Sequence, residues 1–326
     1  MSNLPAAVDR VVVAVLVDNV TDSLSTVPAN VVHEWRALMR AGMTELSGSC
    51  QCCANHGLSL VVTAYRGDQR HTVLFDAGPV DYAVEMNGNR LGIDFGAIDA
   101  VVLSHGHWDH AGGLLAALRL IRQQRRGAVP CFLHPEMFRQ RALTLPDGSI
   151  LPIRAIASVN EIAQAGATPV VTREPAAFLD ASFYVSGEIP RATTYERGFP
   201  GHLRREADGD GWEPDPLIVD ERFLAVRIEG KGVVVFTACS HAGVVNVMRH
   251  AHDVFADWPL YAVVGGFHLA GANETIIPET VRDLGAFSLR YIVPGHCSGW
   301  RATAALAAAY GDQRVVPLAV GRTFTF

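Results

Sequence analysis

The sequence predicts an α/β fold built on buried sheets. Short apolar runs alternate with segments whose apolar residues recur at helical spacing. Histidines, cysteines or aspartates stand repeatedly just past the end of an apolar run and before the next helix. The chain can enclose a full core, with 326 residues of which 49% are hydrophobic and 18% charged.

Residues 10–17 are apolar on both faces, as a strand covered on both sides must be, and Asp18-Asn19 ends the run. Over 30–40, Val31, Val32, Trp35, Leu38 and Met39 recur at helical spacing and predict an amphipathic helix. The loop that follows carries Cys50, Cys52 and Cys53. With no second cysteine pair nearby, this run does not fit the usual zinc spacings, and packed thiols are the plainer reading. Residues 58–65 and 72–75 read as a hairpin turned at Arg66-Gly67-Asp68 and ending in Phe75-Asp76-Ala77-Gly78. Asp76 either caps a turn or orients a metal-ligating histidine. A short helix is expected over 80–86, a strand over 98–103 and a helix over 114–124 behind Ala111-Gly112-Gly113.

A further strand ends at His134-Pro135, where the histidine reads as structural. Residues 146–167 look irregular, and a strand from Ser182 runs into a polar loop carrying Arg191. Arg191 could clamp an anionic substrate group or be a solvated side chain. Residues 195–216, rich in Gly, Pro and charge, read as a surface excursion able to act as a lid. A second hairpin over 222–228 and 232–236 ends in Ala238-Cys239-Ser240-His241, before a helix over 244–255. Strands over 261–264 and 291–293 end in Gly265-Gly266-Phe267-His268 and Gly295-His296-Cys297, and an alanine-rich helix covers 301–310. Nothing divides these elements, so one domain over 1–326 is expected.

The densest chemistry lies in Ser104-His105-Gly106-His107-Trp108-Asp109-His110. In an extended segment alternate side chains share a side, so His105, His107 and Asp109 can converge while His110 turns away. Neutral imidazoles and a carboxylate suit zinc, iron or manganese, and four such groups in one loop can serve two adjacent ions. No G-x-S-x-G elbow and no G-x-x-x-x-G-K-[ST] loop is present, and Lys231 is the only lysine. A net charge of −6 without any basic run argues against a nucleic-acid surface. No run reaches the ~18 apolar residues of a membrane span. The N-terminal run lacks the marks of a signal peptide. Six unevenly spaced cysteines suggest no disulfide framework, so the cytoplasm is the expected compartment.

The residues His105-x-His107-x-Asp109-His110, with Phe75-Asp76-Ala77-Gly78 upstream, resemble the metallo-β-lactamase superfamily. Narrower blocks resemble its dihydropterin-related synthase branch: His56-Gly57-Leu58-Ser59, Ser186-Gly187-Glu188-Ile189-Pro190-Arg191, Ala238-Cys239-Ser240-His241-Ala242-Gly243, Gly265-Gly266-Phe267-His268 and Gly295-His296-Cys297-Ser298-Gly299. The resemblance implies an αββα sandwich with metals at one edge. It implies His105 and His107 on a first ion, and Asp109, His110 and His296 on a second. The usual third histidine has no match where it is expected, since Ser186-Gly187-Glu188 occupies that region and His202 lies in the excursion. His241 is therefore expected to complete the first site. The usual bridging aspartate falls near Cys239, which is either a ligating or neighbouring thiolate or an inert buried thiol. His268 is an outer ligand, a proton donor or a satisfied strand-end histidine.

The implied cofactors are two divalent ions, zinc first, with manganese or iron as alternatives. The implied activity is hydrolysis of a small ester, lactone or phosphoester, in which metal-bound hydroxide attacks and Asp109 or His268 handles the proton. The alternatives are a pterin/arylamine-phosphate synthase and a mononuclear iron dioxygenase on the same fold. A small anionic molecule is the expected partner, with neither nucleic acid nor membrane, and self-association is left open.

Overall fold

In a computed structural model describing residues 4–207 and 209–326, the chain lays down β1 (Ala7–Val8), β2 (Arg10–Val17), β3 (Val31–Val32) and α1 (Glu34–Arg40). It returns in the hairpin β4 (Ser59–Arg66) and β5 (Gln69–Phe75), then α2 (Asp81–Leu91), β6 (Ala100–Val102), α3 (Trp108–Ala111), α4 (Leu114–Gln124) and β7 (Val129–Leu133). The middle holds β8 (Arg141–Thr144), β9 (Ile150–Ile153), α5 (Val159–Ala165), β10 (Ala167–Val171), β11 (Ala176–Phe178), β12 (Phe183–Val185), β13 (His202–Arg205) and β14 (Trp212–Pro214). The last part is β15 (Leu224–Ile228), β16 (Gly232–Thr237), α6 (Val244–Val254), β17 (Leu260–Gly266), α7 (Ile277–Leu284), β18 (Tyr291–Gly295), α8 (Gly299–Tyr310) and β19 (Thr323–Thr325).

Two sheets face each other. One runs β10-β7-β6-β5-β4-β2-β19-β3, and the other β11-β12-β15-β16-β17-β18 with β1 beside β15. Period-2 alternation decides which side chains go between them. Val11, Val13, Val15, Leu60, Val62 and Phe75 from the first sheet meet Phe183, Val226, Val234, Phe236 and Val264 from the second. The opposite faces are also apolar, because helices cover them. Leu16, Leu74 and Val101 pack under Leu114, Leu118 and Ile121, and Val233, Val235 and Val263 pack under Val244, Met248 and Leu306. This is the αββα sandwich, and it explains why β2 and β16 are apolar on both faces.

Three local expectations need correction. The segment 146–167 is not irregular: β9 and α5 lie within it, and α5 opens with a capping box in which Ser158 and Glu161 satisfy each other's backbone N–H. The excursion 195–216 contains β13 and β14, which join β8 and β9 in a separate sheet of order β14-β13-β8-β9. The polar composition reflects strands exposed on one face. The expected helix over 30–40 begins only at Glu34, because Val31 and Val32 pair with β19.

Parallel crossovers aim the strand ends. Phe75, Val102 and Phe132 stand in register across β5, β6 and β7, and Thr237, Gly265 and Pro294 across β16, β17 and β18. Parallel neighbours finish at the same edge of their sheet, and the residues after β5, β6, β16, β17 and β18 meet there. Gly265 makes this approach possible: at φ +131°, a Cβ would lie 1.6 Å from the Thr237 carbonyl oxygen. Among the described residues no helix is long and apolar enough to cross a membrane.

Phe236 is fully buried between the sheets. Phe236→Ala is expected to lower unfolding stability by ~3–5 kcal/mol. Urea denaturation followed by circular dichroism should show the lower midpoint with an unchanged slope.

Candidate metal centre

The shared edge gathers Asp76 after β5, the Ser104–His110 turn after β6, Cys239 and His241 after β16, His268 after β17 and His296 after β18. His134, after β7, stays out of the cluster: its Nδ1 accepts from the Glu136 N–H and its Nε2 lies 3.2 Å from Glu188. The structural reading of His134 is therefore the better one.

The first group of rings is linked nitrogen to nitrogen. His105 Nε2 is 2.9 Å from His107 Nδ1, and His107 Nε2 is 3.0 Å from His202 Nε2. Proton positions follow from the partners at the two ends of this relay. Ser104 donates its hydroxyl to Asp76 Oδ2, so its oxygen must accept from His105 Nδ1–H. His105 then presents a lone pair at Nε2, and His107 must donate to it from Nδ1. At the other end, His202 Nδ1 donates to the Asp215 carbonyl at 2.9 Å. Two lone pairs, on His107 Nε2 and His202 Nε2, thus face each other at 3.0 Å. Burial first, and then Arg141, hold the His107 ring well below the usual imidazole range, so its own Nε2 stays unprotonated. A cation near these rings removes the conflict.

Beside this group, His241 has neither ring nitrogen hydrogen-bonded although it is buried. Its ring centroid lies 4.8 Å from that of His105, 4.9 Å from His107 and 4.4 Å from His268. Burial, and then His268 and His107, keep it neutral, and burial with the neighbouring histidines does the same for His105. Neutral imidazole is the form that binds metal.

The second group surrounds Asp109. Its Oδ2 lies 3.4 Å from His296 Nε2, 3.8 Å from His110 Nε2 and 3.6 Å from His56 Nε2. His110 Nδ1 is held at 2.8 Å by Asp76, leaving Nε2 free to face Cys239 Sγ at 3.4 Å. His296 Nδ1 is 2.9 Å from Asn19 Oδ1, which leaves its Nε2 without a hydrogen bond. Asp76 thus fixes the orientation of one candidate ligand and Asn19 of another. Burial opposes charge on both Asp109 and His110, but their mutual attraction wins. Asp109 is held well below the carboxylate range, and His110, beside Asp109 and Asp76, is raised to about 9.

A buried polar atom without a partner costs about 1–3 kcal/mol. Here both nitrogens of His241, Nε2 of His296 and Nδ1 of His268 are such atoms, all in one cluster. Donor atoms of His105, Cys239 and His241, of His110, Cys239 and His296, and of His56, Asp109 and His296 each lie within 4.8 Å of one another. The residues present therefore fit divalent cations bound by nitrogen, oxygen and sulfur.

Carboxylates and arginines brace the loops beneath. Asp220 accepts from the Gly106 N–H at 2.8 Å and pairs with buried Arg141. Glu221 accepts from the N–H groups of His241 and Ala242. Arg191 reads from the sequence as either an anion clamp or a solvated side chain. Its guanidinium donates to the carbonyls of His241 and Leu217, so it ties the His241 loop to the segment before β15.

Above the cluster lies a cavity of about 580 Å³, walled by Trp108, Leu143, Ile153 and Phe199 and floored by His107, Asp109, His241 and His268. Leu143 and Ile153 come from β8 and β9, and Phe199 from the former excursion, which therefore covers the site as a folded wall. Sequence reasoning passed over His202, which β13 brings to His107. It also assigned no role to His56 and Cys297, both of which line the cavity. The available signal for His56 and Cys297 is their place inside matched blocks, while His202 is marked only as lying in the excursion.

Comparison with known proteins agrees with this architecture. Residues 56–126 match the metallo-beta-lactamase superfamily. The chain is 28% identical over 251 residues, 76% of its length and 83% of the relative's, to the 7,8-dihydropterin-6-methyl-4-(beta-D-ribofuranosyl)-aminobenzene-5'-phosphate synthase of Methanocaldococcus jannaschii. An uncharacterised protein of the same organism, MJ0448, is 28% identical over 256 residues, 78% of this chain and 88% of its own. The crystal structure of Tm1679, a metal-dependent hydrolase of the β-lactamase superfamily, superposes with a TM-score of 0.70 at 23% identity, covering 96% of this chain and 98% of that one. The resemblance read from the sequence and the fold it implied both hold.

Two outcomes follow from the Asp76 and His110 geometry. Asp76→Asn, which leaves His110 without its carboxylate partner, is expected to weaken zinc binding ~10–100-fold in competition with a chelator. In the metal-free chain His110 keeps its proton at pH 7.5, since its pKa lies at about 9. Zinc must displace that proton, so binding should strengthen as pH rises from 7 to 9. Calorimetry in two buffers at pH 7.5 should find release of at least about one proton per chain. Affinity independent of pH over that range would contradict the assignment.

Proposed function

We propose that this chain, built on the metallo-β-lactamase fold, is a metal-dependent enzyme that joins a dihydropterin to a phosphorylated ribofuranosyl-aminobenzene, the product for which its M. jannaschii relative is named. The observation that carries the reading is the cavity of about 580 Å³ directly over the histidine cluster. Sites for ring-containing ligands have this form, with apolar and aromatic walls and a few convergent polar groups. Trp108 and Phe199 offer aromatic faces for a flat heterocycle, and Leu143 and Ile153 offer aliphatic surface for an aryl ring.

His105 and His241, whose donor atoms converge with that of Cys239, would hold one ion, and Asp109, His110 and His296 a second. Zinc suits the mixed nitrogen, oxygen and sulfur donors, with manganese or iron as alternatives. Divalent ions there would polarise a bound oxygen and lower the pKa of water from 15.7 towards ~7.

The protein's own groups handle orientation and protons. Asp109, kept ionised, can accept a hydrogen bond from an amine nucleophile at the cavity floor. Burial works against charge on His268, yet Cys297 and Glu221 raise it above the ordinary imidazole value. It is thereby suited to give a proton to a departing group from the cavity side. Arg141 and Asp220 hold the His105–His107 turn in place from below.

A second reading, hydrolysis of a small ester, lactone or phosphoester, is favoured by one specific observation. The two donor groups adjoin and share Cys239, as a centre activating water between two ions requires. Metal analysis and product analysis separate the readings. About two equivalents of zinc or manganese per chain support the dinuclear centre, whereas one equivalent of iron points to a mononuclear iron oxygenase. The metal-loaded protein should then be incubated with an activated 6-methyl-dihydropterin and the aryl ribofuranoside phosphate. A coupled product seen by mass spectrometry supports the synthase. No coupling, together with turnover of lactone or phosphoester panels, would transfer the assignment to the hydrolase. In the productive assay, His268→Gln should lower kcat ~10²-fold or more with little change in KM. An unchanged kcat would remove His268 from the proton-transfer role.

A further inference from the structure

Two thiols lie at the floor of the same cavity. Cys239 Sγ and Cys297 Sγ are 3.2 Å apart, and both residues line the cavity. They come from different strand ends, after β16 and after β18, and converge across the intervening end of β17. Cys297 Sγ also accepts from the backbone N–H of His268 at 3.3 Å, which holds it against its neighbour. A disulfide needs the sulfurs to close by only about 1 Å from this contact. No other cysteine pair among the described residues has its sulfurs recorded in contact, and all six cysteines are free.

We propose that Cys239 and Cys297 form an oxidisable dithiol that disables the metal centre when a hydroperoxide joins them. The cavity admits a molecule as small as hydrogen peroxide. Cys297, the less buried of the two, attacks one peroxide oxygen. The O–O bond breaks, the first water leaves, and a sulfenic acid remains on Cys297. Cys239 Sγ then attacks the Cys297 sulfur and displaces the hydroxyl as the second water. Two electrons pass from the sulfurs to the peroxide, and both thiol protons end in water. A small dithiol reductant reverses the change.

The consequence follows from the position of Cys239. It takes part in the donor groups with His105 and His241 and with His110 and His296, and its Sγ faces His110 Nε2 at 3.4 Å. A disulfide sulfur is a poor ligand compared with a thiolate. Closure draws Cys239 towards Cys297 and anchors it next to His296, so the centre loses a donor and its spacing together. The inference does not depend on which reaction the centre catalyses.

The test uses the full-length, metal-free protein treated with a small excess of hydrogen peroxide, digested without reduction and mapped by mass spectrometry. The expected result is a Cys239–Cys297 cross-linked peptide, lighter by two hydrogens and released by dithiothreitol. Neither Cys297→Ser nor Cys239→Ala should yield it. The oxidised wild-type chain should bind zinc at least tenfold more weakly in competition with a chelator and recover on reduction. Zinc added before peroxide should slow the cross-linking. Recovery of Cys239 and Cys297 unlinked while Cys53 is oxidised would overturn the dithiol assignment. A cross-link that leaves zinc affinity unchanged would overturn its coupling to the metal centre.

Discussion

Imidazole rings buried within hydrogen-bond distance of one another can share a site only if their protons are distributed without conflict. In this protein the proton relay starts at Asp76, passes through Ser104, His105 and His107, and meets a second relay that starts at the Asp215 carbonyl and ends at His202. Both relays deliver lone pairs to the same point. That arrangement is unfavourable by itself and is relieved by a positive charge placed between the two rings. The remaining scaffold serves this junction: parallel strands bring the loops to one edge, Asp220 and Arg141 hold the His105–His107 turn, and Glu221 holds the His241 turn.

Much of this was legible in the sequence because period and position survive folding. The buried strands announced themselves by being apolar on both faces. The motif residues announced themselves by standing at strand ends, which parallel crossovers must bring together. The sequence leaves Asp76 between capping a turn and orienting a histidine, and the Asp76 carboxylate lies 2.8 Å from His110 Nδ1. Residue His202 was illegible for a physical reason. It reaches the centre through the pairing of β13 with β8, a contact between segments about sixty residues apart that leaves no local periodicity. The same pairing turned a polar stretch, read as a loose excursion, into a sheet. For Arg191 the sequence leaves a clamp and a solvated side chain open, and it carries no sign of the backbone carbonyls of two segments to which the guanidinium donates.

The small sheet β14-β13-β8-β9 differs in kind from the two large ones. It adds little to the core between the sheets and instead builds the upper side of the cavity through Leu143 and Ile153. The wall of the cavity therefore comes from an element distinct from the edge that carries the histidine cluster. The edge can keep its chemistry while the wall changes shape, which is how one fold serves many substrates.

Strand β13 opens with His202, while Phe199, three residues earlier, lines the cavity. A ligand and a wall are thereby carried on one short piece of chain, and an ion held by His107 and His202 would act as a clasp between the edge and the small sheet. By linkage, each tenfold gain in ion affinity that depends on His202 adds about 1.4 kcal/mol to the docking of that sheet. Cavity shape and ion occupancy would then be coupled through this one short segment.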